Sequence, residues 1–165
     1  MSGEPAGTKA TLGGAPATTT LHRTRFPCSS GQRRFWILDQ VDPGNPALNI
    51  AVRWRLEGRV SSADLINAFA RIVERHQPLR TFFAEEDGEP IQIVEPFVSF
   101  HIPDIDLTGL AEIDALVEAE RIAQLEARAP FDLSAPPLIR VTRLRMRDHV
   151  SILLVTAHHM ICDGW

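Results

Sequence analysis

Two adjacent histidines, His158 and His159, are the residues of this sequence best suited to proton transfer. The imidazole group titrates near neutral pH, so it can accept or donate a proton under physiological conditions. Both histidines follow an apolar run, Val150 to Ala157, which is typical of a strand buried on both faces. Because consecutive strand residues point to opposite faces, only one histidine can face a given cavity. We therefore expect the other histidine to lie in the interior.

The residues that follow the histidines predict a turn. Met160, Ile161 and Cys162 supply apolar anchors, and Gly164 is free to adopt a positive φ. The carboxylate of Asp163 can serve in either of two ways, by capping the next element or by pairing with a cation. We therefore expect a turn directly after the two histidines.

The histidines and cysteines of this sequence do not predict a metal site. Adjacent strand histidines cannot readily bind one ion together, and Cys162 has no nearby cysteine. The other histidines show neither HxH nor HxxxH spacing; they are His22, His76, His101 and His149. The sequence also lacks the G-x-S-x-G motif of many serine hydrolases. These patterns favour a histidine held for proton transfer.

The composition is that of a globular chain and excludes several classes of function. Of the 165 residues, 44% are hydrophobic and 23% are charged, with a net charge of -4. The basic excess of a nucleic-acid binder is lacking, and no apolar run approaches the roughly 20 residues that cross a bilayer. The two cysteines, Cys28 and Cys162, are far apart. We therefore expect a cytoplasmic protein without nucleic-acid or membrane partners.

Helical and strand periodicity predicts an α+β fold, a mixed β-sheet with helices packed on it. Residues 1–24 are rich in Gly, Ala, Thr and Pro and are expected to be a flexible leader. A short helix is predicted after Ser29 and Ser30, where we expect Phe35, Trp36 and Leu38 to be packing residues. It ends at a turn over residues 42–46, and a strand with one apolar face starts at Leu48; that face comprises Ile50, Val52, Trp54 and Leu56.

The rest of the chain continues this alternation of helices and strands. An amphipathic helix is predicted between Ser61 and Pro78, followed by a hairpin that turns at Asp87 and Gly88. A long helix is predicted over residues 110–128, with Leu110, Ile113, Leu116 and Val117 at helical spacing. Two strands, over residues 138–146 and 150–159, complete the sheet. The two histidines therefore lie at the exit of a buried strand.

Three stretches of the sequence resemble motifs of the condensation domains of nonribosomal peptide synthetases, which belong to the chloramphenicol-acetyltransferase-like superfamily. Residues 158–164 read HHMICDG and are similar to the signature HHxxxDG. Residues 29–38, SSGQRRFWIL, resemble SxAQxRLWFL, and residues 75–83, RHQPLRTFF, resemble RHExLRTxF. Residues 131–133 and 137–140 are also similar to the stretch before the signature strand. The sequence departs from these patterns at Gly31, Phe35, Ile37, Gln77 and Phe82.

The resemblance implies a fold and a set of site residues. Residues 25–165 would be the N-terminal lobe of a two-lobed domain, truncated after the signature, and the missing C-terminal lobe would complete a tunnel. His159 would be the catalytic residue that faces this tunnel. His158, Asp163 and Gly164 would support the site, and Asp163 would form an ion pair with Arg75 or, alternatively, with Arg80. No metal is implied.

The resemblance also implies a reaction. The family forms an amide bond between an acyl or peptidyl thioester and an aminoacyl thioester, each held on the phosphopantetheine arm of a carrier protein domain. The chain itself would bind no cofactor, and its partners would be carrier and adenylation domains. A stand-alone acyltransferase and an epimerization domain are alternatives within the superfamily. The non-enzyme alternative is a fragment that docks carrier proteins, and the 165 residues alone are expected to be inactive.

Overall fold

The structure is a computed structural model, and it describes residues 22–162. The expected leader, apart from its last three residues, and the predicted support residues Asp163 and Gly164 therefore lie outside the described residues. In chain order the strands and α-helices are β1 (Thr24–Pro27), α1 (Ser30–Val41), β2 (Asn49–Glu57), α2 (Ser62–Arg75), β3 (Thr81–Glu86), β4 (Glu89–Val94), β5 (Asp104–Asp106), α3 (Glu112–Arg128), β6 (Ile139–Arg147) and β7 (Val150–His158). Short 3₁₀ helices cover Pro46–Leu48 and Gln77–Arg80.

The strands form two sheets where the sequence predicted one. A four-stranded sheet has the order β2-β7-β6-β5, and a three-stranded antiparallel sheet has the order β1-β4-β3. The larger sheet is mixed, because β5 runs parallel to β6 while the other pairs are antiparallel. The α+β class is confirmed. Strands β1 and β5 were not predicted, because each spans only three or four residues, too few to show a period.

Strand β7 is buried on both faces, as its apolar run predicts. It lies between β2 and β6. Leu153 and Val155 belong to the apolar cluster on one face of the sheet, and Leu154 belongs to the cluster under α3 on the other face. The strand therefore holds its last residue, His158, in the interior of the larger sheet.

Side-chain caps start the two helices that follow serine pairs. The Ser29 hydroxyl accepts a hydrogen bond from the Gln32 N–H at 3.2 Å, and the Gln32 side chain accepts one from the Ser29 N–H at 2.9 Å. This reciprocal pair is a capping box. At α2, the Ser61 hydroxyl accepts from the Asp64 N–H at 3.0 Å. Both predicted helices are confirmed.

The predicted hairpin is also present. Strands β3 and β4 pair antiparallel and are joined by Asp87 and Gly88, whose φ angles are 53° and 81°. Both angles lie in the left-handed region, as a two-residue type I′ turn requires. The Asp-Gly pair therefore correctly predicted the turn of this hairpin.

The predicted apolar face of α3 is wrong, although the helix itself is present. Ile113, Leu116 and Val117 are 68%, 50% and 64% exposed. The buried side chains are instead Ala115, Ala119 and Ile122, which pack with Leu144 and Leu154 of the sheet. Small alanines let the helix axis lie close to the sheet, so the buried stripe carries weak apolar character in the sequence.

The predicted buried face of β2 is only partly covered. Val52 and Trp54 are 41% and 51% exposed, although they pair with Val155 and Leu153 of the buried strand. Among the strands of residues 22–162, β2 lies at the edge of the sheet and pairs with β7 alone. Its side chains therefore extend beyond the apolar cluster that buries the central strands.

Candidate active site

The two adjacent histidines lie in different surroundings. His158 ends β7 and is 2% exposed, whereas His159 begins the following turn and is half-buried. The His158 N–H donates to the Leu138 carbonyl at 3.0 Å, and the His159 N–H donates to the Leu48 carbonyl at 2.8 Å. Main-chain bonds to the residues just before β6 and β2 therefore fix where each imidazole emerges.

The imidazole of His158 accepts a hydrogen bond that stabilises the turn after β7. Its Nδ1 accepts a hydrogen bond from the Met160 N–H at 3.2 Å, and its ring lies edge-on to Phe131 with centroids 6.0 Å apart. A nitrogen that accepts carries no proton, so this bond requires the neutral tautomer protonated at Nε2. Burial lowers the pKa of His158, an effect that Asp39 opposes and His159 reinforces. The ring therefore closes the turn while uncharged.

The buried His158 is expected to make stability depend on pH. Its pKa is lower in the folded chain than in the unfolded chain, so the unfolded chain binds the proton first as pH falls. Its contribution is therefore full above about pH 6.5 and is lost as pH falls towards the folded-state pKa. In His158→Asn, the Oδ1 can still accept from Met160 but does not titrate. Between about pH 7.5 and about pH 5.5, we expect the free energy of unfolding to fall less in this variant than in the parent.

Urea titration followed by hydrogen exchange at β7 would measure this dependence in the full-length protein. His101→Asn is a suitable control, since His101 is exposed. An equal pH dependence in the parent and in His158→Asn would contradict the assignment of a neutral, buried His158.

The imidazole of His159 forms part of a cleft wall. Its ring stacks on the Phe35 ring, with centroids 4.5 Å apart and an angle of 24° between the planes. The cleft has a volume of about 450 Å³ and lies between the start of α1 and the turn after β7. Its lining consists of Ser29, Gly31, Gln32, Phe35, His159, Met160, Ile161 and Cys162. An imidazole at such a wall can exchange a proton with a molecule in the cleft.

Sequence reasoning missed two residues of this cleft. Phe35 is a packing residue, as expected, but the group that it packs against is the His159 imidazole. Leu38, also expected to pack, is instead 52% exposed. The side-chain amide of Gln32 donates to the Met160 carbonyl at 3.1 Å. The two residues are three positions apart on α1 and share one face of that helix. That spacing predicts the shared face of the helix, but it does not show that this face lies against His159.

A second cavity, of about 410 Å³, lies between α3 and the larger sheet. Its wall is mainly apolar, and three arginines line it: Arg53, Arg55 and Arg147. Each of these arginines pairs with a glutamate. The cavity is lined by neither histidine nor cysteine, so it lacks a group suited to proton transfer near neutral pH. We therefore place the candidate site at the His159 cleft.

The structure separates the two arginines that the sequence named as partners of Asp163. Arg80 directs its guanidinium at main-chain carbonyl oxygens, those of Val73, Glu74, Glu95 and Pro96. It thereby joins the end of α2 to the chain after β4. Arg75 is exposed at the last position of α2. The ion pair with Asp163 and the role of Gly164 stay predictions, because both residues lie outside the described part of the chain.

Within residues 22–162, no group of three or more His, Cys, Asp or Glu side chains is placed to hold a metal ion. None of the helices in that range is both long enough and apolar enough to span a bilayer.

A comparison with protein families matches most of the chain. The family model for the condensation domain covers residues 22–165. The chain is 34% identical over 140 residues to a linear gramicidin synthase of Brevibacillus parabrevis, a match that covers 85% of this chain and 2% of that protein. It is 35% identical over 139 residues to phosphinothricin tripeptide synthetase PhsC of Streptomyces viridochromogenes, covering 84% of this chain and 13% of that protein. The chain thus spans a small part of these curated relatives.

Solved structures show the same fold. The starter condensation domain of rhizomide synthetase RzmA superposes with a TM-score of 0.78 at 25% identity, covering 86% of this chain and 34% of that chain. The first condensation domain of the calcium-dependent antibiotic synthetase superposes with a TM-score of 0.78 at 23% identity, also covering 86% and 34%.

Proposed function

Because the chain belongs to the condensation domain family, we propose that it takes part in amide-bond formation between two thioesters held on carrier proteins. In this proposal residues 25–165 form the N-terminal lobe, and a second lobe completes the substrate tunnel. The donor is an acyl or peptidyl thioester and the acceptor is an aminoacyl thioester. His159 is the catalytic residue.

The observation that carries the proposal is the position of His159. Its imidazole lies on the wall of a cleft, stacked on Phe35 and fixed by the main-chain bond to Leu48. His158, its neighbour, is buried and already engaged with Met160. Of the two histidines, His159 is therefore the one that a substrate in the cleft can reach.

The proposed step needs modest acid–base help. The acceptor's α-amine has a reference pKa of about 7.7–8.0, so a useful fraction is neutral near pH 7. Its nitrogen attacks the donor carbonyl carbon, a C–N bond forms, and the C–S bond to the donor arm breaks. The nitrogen loses one proton, which His159 accepts and the departing thiolate finally takes up. Orientation of the two tethered reactants can contribute more to the rate than this proton transfer.

The partners follow from this reaction. Both thioesters arrive on the phosphopantetheine arms of carrier domains, and an adenylation domain activates each amino acid before loading. The step itself needs no further cofactor. We propose that the reaction takes place in the cytoplasm.

The proposal can be tested with the full-length protein and two loaded carriers. The donor arm is loaded with N-acetyl-aminoacyl groups and the acceptor arm with aminoacyl groups, across the common amino acids. Mass spectrometry of the arms is expected to show the acetyl-dipeptidyl thioester on the acceptor and a thiol on the donor. Transfer of the acyl group to coenzyme A instead, or inversion of the α-carbon without transfer, would contradict condensation. So would a complete absence of dipeptide across the panel.

A further inference from the structure

We propose that Gln32 is a positioning residue for His159. Its side-chain amide holds the Met160 carbonyl and thereby fixes the turn that carries the imidazole. The inference rests on the proposed function for its kinetic test, and a second test below does not need that function.

The amide of Gln32 is fixed by three elements of the fold. Its Oε1 accepts from the Ser29 N–H at 2.9 Å, at the start of α1. Its Nε2 donates to the Gln92 Oε1 of β4 at 2.9 Å and to the Met160 carbonyl at 3.1 Å. A primary amide has two N–H donors, so both are engaged. The group is half-buried and has one orientation that satisfies all these bonds.

The main chain around His159 is held by groups from several elements. Its own N–H donates to the Leu48 carbonyl at 2.8 Å, and the Met160 N–H donates to the His158 imidazole at 3.2 Å. Gln32 holds the next group along the chain, the Met160 carbonyl. The same peptide plane is also held at its Ile161 N–H, which donates to the His158 carbonyl at 3.1 Å. Loss of the Gln32 bond therefore removes a hydrogen bond between this plane and α1, while the stack of His159 on Phe35 remains.

The contacts of the side chain at position 32 need two N–H donors and one acceptor, which an amide supplies and a carboxylate does not. In Gln32→Glu the side chain can still accept from the Ser29 N–H. It would, however, place a second acceptor against the Met160 carbonyl and the Gln92 Oε1, which repels both. In Gln32→Leu the shape is similar and the side chain makes no hydrogen bond, while the main-chain N–H can still donate to the Ser29 hydroxyl. The two variants therefore disturb the turn by different routes.

The first test measures condensation kinetics of the full-length protein. We expect kcat of Gln32→Glu and Gln32→Leu to fall roughly 10- to 100-fold with KM within about twofold, because small misplacement of a reacting group has effects of this size. Gln124→Glu is the matched control, since Gln124 is exposed on α3 and does not line the cleft. Its kcat should equal that of the parent.

A stability control separates positioning from folding. Ser61→Ala removes the cap of α2, which lies outside the cleft lining, and should lower the urea midpoint of the fold without changing kcat. If kcat of the Gln32 variants falls only in proportion to their folded fraction, the proposal is overturned.

The second test needs no substrate. Diethyl pyrocarbonate modifies neutral imidazoles, and peptide mass spectrometry gives the rate at His159. We expect this rate to change several-fold in both Gln32 variants and to match the parent in Gln124→Glu. An unchanged rate in both Gln32 variants overturns the positioning role. If the parent forms no amide but the modification rate at His159 still changes in the Gln32 variants, the proposed function is refuted and the positioning role stands.

Discussion

Replacing His159 with alanine in the full-length protein is expected to lower the rate of amide formation by roughly 10²- to 10⁴-fold, the usual contribution of general acid–base assistance. The imidazole lies on the cleft wall, where it can accept a proton from the reacting amine. The loss should appear in kcat, because the side chain acts on the reacting amine rather than on the carrier proteins. Single-turnover transfer between loaded carriers would measure it.

The folded state of His159→Ala should persist. The side chain is half-buried and stacks on Phe35, and removing such an aromatic stack typically costs about 1 kcal/mol in the free energy of unfolding. His101→Ala is the matched control, since that histidine is exposed and outside the cleft. A condensation rate in His159→Ala equal to that of His101→Ala would rule out His159 as the catalytic residue.

Local patterns were enough to predict the strand that carries the two histidines. The run from Val150 to Ala157 predicts a buried strand because every residue of a central strand meets apolar neighbours on one face or the other. Alternation along that strand then places His158 and His159 differently, which the structure confirms. The helix caps at Ser29 and Ser61 were also local signals, since each bond joins residues three apart.

The contacts that complete the cleft could not be read from local patterns. Gln32 and Met160 are 128 residues apart in the sequence, and no period or spacing links them. Their contact depends on how α1 lies against the turn after β7. The prediction of which face of α3 is buried failed for a related reason, because the residues that touch the sheet are small rather than strongly apolar. Ala115 and Ala119 could not outweigh Ile113 and Leu116 in a count of hydrophobic residues.

Replacing Arg80 with alanine is expected to lower the free energy of unfolding by about 2–4 kcal/mol, because its hydrogen bonds come from a charged donor and are partly buried. Two of its acceptors, the carbonyls of Val73 and Glu74, belong to the last turn of α2, where carbonyls lack helical partners. The others follow β4. The variant should therefore loosen the join between α2 and the smaller sheet. Urea titration followed by hydrogen exchange at α2 and β4 would report this region alone.

Arg71→Ala is the matched control for this measurement, because Arg71 is an exposed arginine on the same helix. We expect it to change stability by no more than about 0.5 kcal/mol. Arg75→Ala then tests the predicted ion pair with Asp163, since a pair would make this variant costly and would couple it to Asp163→Ala in a double-mutant cycle. If the urea midpoint of Arg80→Ala equals that of Arg71→Ala, the bonds from Arg80 to the main-chain carbonyls contribute nothing to the free energy of unfolding. Arg75, the other arginine of residues 75–83, would then be the one expected to stabilise the fold.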